Sequence, residues 1–237
     1  MHATSPKFID SRNELLWNIL SHDYNITIEN SADDTFGCFT KSKRAIIFIP
    51  YESTCKDSFT HELLHIYLKQ KMIFIGEYLA RRFQKDEILS EVFSELLIRH
   101  IGNCLDHLKM VPKFLSMGFD GTKFLYDYDT PKCSDDDCLL LSIALKRTTS
   151  SWKLAADFFL GKYFGMKSCP NNLFNYSKHL EHLQDIDNNL FSILESFWMS
   201  WEMFDIENND PVVLCYEDFC DVFLNDLKEW TLDMKMA

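Results

Sequence analysis

The segment His61-Glu62-Leu63-Leu64-His65 constrains this chain more than any other feature. Two histidines four residues apart help each other only on a helix, where they differ by about 40° in direction and stand one turn apart, so both imidazoles reach one point. A random arrangement of the same residues would contain this pattern in roughly one chain in sixty. The flanks favour a helix as well. Leu63, Leu64, Ile66 and Leu68 give it a buried apolar face, and Asp57 or Ser58 is the expected N-cap.

An imidazole pair of this kind fits a tetrahedral zinc ion, with His61 and His65 as two of its ligands. Glu62 has a separate role in the pattern. One position after the first ligand it stands beside the metal without binding it, where its carboxylate takes a proton from a water molecule. A third ligand must come from elsewhere. His100, Asn103 and His107 are spaced to share one face of a helix ending near Met110, and His107 is the expected ligand because it lies at that helix's C-terminal end, before the stop signal Lys109-Met110-Val111-Pro112. Its competitors are Glu87, Glu91, Glu95, His100 and Asp106. If one unbroken helix ran from Glu87 to Met110, Glu91 and Glu95 would point roughly 120° to 160° away from His107; Gly102 is the place where such a helix would break.

The surroundings predict an α+β fold. Tyr24–Ile28 and Arg44–Pro50 are rich in β-branched residues, with Phe36–Phe39 between them, so a small sheet is expected within the first fifty residues, packed on the histidine helix and preceded by an amphipathic helix over Phe8–Leu20 capped by Asp10 or Ser11. Downstream, apolar residues recur at threes and fours over Ile88–Met110, Cys138–Leu145, Trp152–Phe164, Leu190–Phe204 and Tyr216–Trp230, which predicts a mostly helical remainder. Gly118–Gly121 and the acidic stretch Asp127–Asp137 read as loops. They suggest a mixed metal-binding lobe over 1–120 and a helical lobe over 121–237, or one continuous domain. The stripes of Phe191, Leu194, Trp198 and Trp201 read as core, and His179 with His182 as a solvated helix face.

Charge narrows the partners. With 24 basic against 36 acidic residues and a net charge of -12, the chain repels nucleic acid and anionic membrane surfaces. No apolar run approaches the roughly 20 residues of a membrane helix, and Met1–Pro6 carries no signal-peptide apolar region, so a cytoplasmic protein is expected. Its eight scattered cysteines then read as reduced thiols, with Cys133 and Cys138 in a solvated acidic loop rather than a metal clip.

Through His61-Glu62-Leu63-Leu64-His65 and the strand before it, over about residues 44–72, the sequence resembles the zincin superfamily of zinc metallopeptidases. A looser similarity to the small cytosolic ImmA/IrrE-like zincins lies in Glu87-Ile88-Leu89-Ser90-Glu91-Val92-Phe93-Ser94, which departs from that pattern at Glu91. The resemblance implies a peptide or protein substrate lying along an edge strand, for which Arg44–Ile49 is the candidate. It also implies Glu62 as general base and an oxyanion donor such as Tyr126, Tyr128 or His100. A catalytically silent zinc-binding protein, or a helical interaction module, is the alternative.

Overall fold

The computed structural model describes residues 7–146, 151–207 and 215–236; the reading of Met1–Pro6 lies outside the described residues. Ala45, Ile47 and Ile49 alternate with more exposed neighbours and send every second side chain of β3 (Arg44–Ile49) into the core. β3 pairs in parallel with β1 (Asn25–Asn30) and antiparallel with β2 (Gly37–Lys41), giving the order β1-β3-β2. The β2–β3 hairpin turns through Ser42 and Lys43, with Ser42 at φ 55°. The small sheet lies where the sequence predicts it. Arg44–Ile49, however, is its central strand. Both edges of β3 are hydrogen-bonded, so the expectation that it offers an edge to a peptide is corrected: β1 and β2 are the edge strands.

Ten α-helices accompany this sheet among the described residues. The first, α1 (Glu14–Asp23), starts later than the spacing suggests and has Asn13 at its N-cap instead of Asp10 or Ser11. Asp10 is otherwise engaged: its carboxylate accepts from the Arg12 guanidinium, and its main-chain oxygen accepts from the Glu14 N–H. The histidine helix, α2 (Lys56–Gln70), likewise has Cys55 at the N-cap, not Asp57 or Ser58. Asp57 falls in the first turn, where a negative charge complements the helix dipole.

α2 is fixed on its buried side by a short polar chain and an aromatic pair. The Asn13 amide donates to Thr60 Oγ1 at 2.8 Å, and that hydroxyl donates to the Lys56 carbonyl at 2.7 Å. One residue earlier, Phe59 is fully buried and stacks on Phe8 with centroids 4.8 Å apart. The buried Asn13 amide and Thr60 hydroxyl thus both have partners, which offsets the cost of burying them.

The helix expected over Glu87–Met110 is two helices, α4 (Glu87–Val92) and α5 (Glu95–Ser116), with α3 (Ile75–Lys85) before them. The break is at Phe93-Ser94, not at Gly102. Ser94 Oγ accepts from the Leu97 N–H at 3.1 Å and so caps α5, while Asp157 accepts from both the Ser94 N–H and its hydroxyl. Pro112 does not stop α5, which runs four residues past it. Helices α6 (Asp135–Ala144), α7 (Trp152–Lys167), α8 (Ser177–Ile186), α9 (Asn188–Met203) and α10 (Tyr216–Met236) complete the chain. Asp135, Asp136 and Asp137 form the first turn of α6, so the acidic loop is shorter than expected.

By internal packing the chain divides into two units. One comprises the residues up to Phe74 with Lys109–Asp129, the other Ile75–Leu108 with the chain from Thr130 onward. The last turns of α5 thus pack in the unit of the sheet and α2, and the earlier turns of α5 with the chain from Thr130.

Within the second unit α3 and α5 meet at two glycines. A Cβ built on Gly102 would lie 2.9 Å from the Gly76 Cα, closer than a carbon side chain tolerates against backbone. Gly102→Ala gains up to ~1 kcal/mol of helix propensity but costs about 1–3 kcal/mol in overpacking. The clash wins: the variant is expected to unfold at a lower urea concentration than the parent, and an equal or higher midpoint would show that the two helices separate freely.

Candidate metal centre

His61 and His65 stand one turn apart on α2, with ring centroids 5.1 Å apart. His107 is carried by α5, in the same helical turn as Lys109 and Met110, and is buried. One ligand nitrogen from each of the three imidazoles lies within 4.8 Å of the other two. A tetrahedral zinc with Zn–N bonds of about 2.0–2.1 Å needs nitrogens roughly 3.3–3.4 Å apart, a contraction that small imidazole rotations supply. Three imidazoles suit zinc or a similar borderline divalent ion, so the residues fit a metal site.

The last turns of α5 are positioned against α2 by aromatic packing. Phe114 is fully buried and meets Phe119 and Phe124 at centroid distances of 5.0 and 5.1 Å. Phe124 in turn packs on the His61 ring at 4.6 Å, and its main chain accepts a hydrogen bond from that imidazole. A ligating histidine held through its second nitrogen by a main-chain carbonyl has a fixed tautomer and ring direction. Nδ1 of His61 and Nε2 of His107 are buried ring atoms that make no hydrogen bond, though both residues interact with their surroundings in other ways.

Glu62 is buried beside this cluster. Burial pushes its carboxyl above the ordinary range, opposed by the positive charge His65 can carry and by a hydrogen bond from the Cys38 side chain of β2. His61 shifts the other way. Burial, then repulsion from His65, lowers its imidazole to about 3, so the ring is neutral and ready to bind a cation at ordinary pH. Neither Cys38 nor Phe124 is legible as a site residue in the sequence, since only the strand pairing and the loop after α5 bring them to α2.

The competing candidates are placed elsewhere. Glu91 is ion-paired with Lys153 and Lys235 on the surface, and Glu95 is exposed with Arg99 one turn away. Because α4 and α5 are separate helices, directions on one continuous helix do not govern the Glu87 and Glu91 positions. His100 is exposed and bonds through Nε2 to the Gly161 carbonyl at 3.2 Å. Tyr126 is fully exposed. Asp106 is buried next to His107 in sequence but is outside the three-residue cluster.

No family model, curated protein or solved structure matches this chain. The geometry of α2 and α5 therefore carries the functional reading.

His61→Ala, His65→Ala and His107→Ala are each expected to weaken zinc binding by more than the ~10–100-fold typical of losing a supporting group, while Glu91→Ala and Glu95→Ala leave it unchanged. Titration calorimetry of the metal-free protein checks this, and full affinity in any one histidine variant would remove that residue from the site. Metal-free protein is also expected to lose stability as pH falls below about 6.5. The unfolded chain protonates His61 there and the folded chain does not, so the unfolded state binds more protons and is favoured by acid. Denaturant midpoints at pH 7 and 5.5 test it, the loss shrinking in His61→Phe.

Proposed function

We propose that this chain is a zinc-dependent peptidase of zincin-like architecture, acting on peptide bonds of a protein or peptide substrate. The observation that carries the reading is the convergence of His61, His65 and His107, with the carboxyl of Glu62 buried one residue from the first of them. Three protein nitrogens leave one tetrahedral position for water or substrate, the arrangement of catalytic rather than structural zinc sites.

A bound zinc ion would supply Lewis acidity toward the scissile carbonyl and the attacking water. The chain's own residues do the rest. Glu62 accepts a proton from the attacking water and returns it to the leaving amine; its raised carboxyl is better matched to that exchange near neutral pH than an ordinary glutamate. His61 contributes a neutral nitrogen, and the hydrogen bond to the Phe124 main chain holds its ring in place, while the buried His107 supplies a second imidazole. β2 is the edge strand packed near α2 through Cys38 and offers main-chain hydrogen bonds to an extended peptide. No helix among the described residues is long and apolar enough to cross a membrane.

Glu62→Gln keeps the side chain's shape but not its basicity. The variant is expected to bind zinc at parental stoichiometry while hydrolysis of a denatured-protein substrate falls by about 10²- to 10⁴-fold. Metal analysis and mass spectrometry of the digest read the two effects separately. A loss under tenfold would remove Glu62 as the base, and zinc binding with no hydrolysis by the parent protein would make this a silent zinc-binding protein.

A further inference from the structure

Away from the histidines, Cys133 and Cys138 form a sulphur pair at the start of α6. Cys133 directly precedes the N-cap Ser134, and Cys138 is the fourth helical residue after it. In a helix opened by a capping box these two positions pack against each other as an apolar staple. Here both are cysteines, each 4% exposed, with Sγ atoms 3.9 Å apart and no disulfide between them. The expectation of a solvated loop is corrected for both residues.

The backbone holding the two sulphurs is pinned from several directions. Ser134 Oγ accepts from the Asp137 N–H at 3.2 Å, and Asp137 Oδ2 accepts from the Ser134 N–H at 2.8 Å and from Lys162 Nζ at 2.8 Å. On the other side the Lys132 N–H donates to the Tyr176 hydroxyl at 2.9 Å, and that hydroxyl lies 3.9 Å from Cys169 Sγ. Disulfide formation depends on α-carbons already at a bridging distance with side chains directed at each other. Contact between the sulphurs within a closed capping box meets the directional part of that requirement.

We propose that Cys133 and Cys138 are a reversible dithiol–disulfide site whose oxidant is a small-molecule disulfide of the glutathione class. One cysteine, as thiolate, attacks the oxidant's S–S bond, forming a mixed disulfide and releasing one glutathione thiolate. The second cysteine attacks the protein sulphur of that mixed disulfide, forming the Cys133–Cys138 bond and releasing the second glutathione. The protein gives up two electrons and two protons, and the oxidant leaves as two thiols. Burial pushes the Cys133 thiol up to about 12 and raises Cys138 as well, so the reduced pair stays protonated at neutral pH and exchange quickens as pH rises.

The sequence makes the test direct, because trypsin cleavage after Lys132 and Lys146 leaves both cysteines on the peptide 133–146. The full chain is incubated with glutathione disulfide, quenched with an alkylating reagent and digested. The expected product is that peptide, unalkylated and lighter than its dithiol form by two hydrogens, restored by dithiothreitol and absent from Cys138→Ser. Its rate of appearance should rise about tenfold per pH unit below the thiol pKa. The proposal is overturned if peptide 133–146 carries two alkyl groups after the exposed Cys55 and Cys215 have reacted. Pairing of either cysteine with Cys169, or two separate glutathione adducts, also overturns it.

Discussion

Helix α5 runs unbroken from Glu95 to Ser116 and carries His107, the one member of the histidine cluster that does not come from α2. Two residues argue against that continuity. Gly102 adds backbone entropy, and Pro112 removes a main-chain hydrogen bond at a typical cost of ~3 kcal/mol in a helix interior. Both are offset locally. The absence of a side chain at Gly102 is what lets α3 approach at Gly76, and two residues after Pro112 the fully buried Phe114 packs on Phe119 and Phe124. The Trp201 indole adds a further bond, donating to the Leu105 carbonyl at 2.9 Å, two residues before the third histidine.

Once α5 is fixed, burial sets the chemistry of the cluster. Desolvation pushes a base and an acid in opposite directions: the His61 imidazole becomes harder to protonate and the Glu62 carboxyl easier. Both shifts reduce the charge that His61 and Glu62 carry before a cation enters. A cation would find no proton to displace from His61 and would favour the ionised form of Glu62. The Cys38 hydrogen bond from β2 adds to that preference.

What could be read in the sequence divides by the range of the forces involved. The β-branched run in Arg44–Ile49 and the i, i+4 histidines are local patterns, and the strand and helix they imply are present. The order of the three strands is not local. A run buried on alternate positions reads the same at an edge or in the centre, so the middle place of β3 had no signal. The break before α5 did have one: Ser94 followed directly by the acidic Glu95 is a helix-start pattern, overridden by the apolar period running through it. The buried Cys133 and Cys138 were obscured by three intervening aspartates, which read as loop but are the acidic first turn of α6. The expectation of His107 rested partly on a helix stop at Pro112 that does not occur. Its place in the cluster depends on the helix continuing.

The first packing unit is discontinuous along the chain: Ile75–Leu108 is looped out between its two segments. Chain connectivity therefore enters the site's thermodynamics. Bringing His107 back to His65 closes a loop whose entropy cost, growing as (3/2)RT ln n, is on the order of 3 kcal/mol. An ion held by all three imidazoles would bind only after that closure and would stabilise the closed form, a removable cross-link between segments distant in sequence. A fragment ending at Phe74 would keep His61, Glu62 and His65, yet it would lack both the third nitrogen and the phenylalanines that hold it in place.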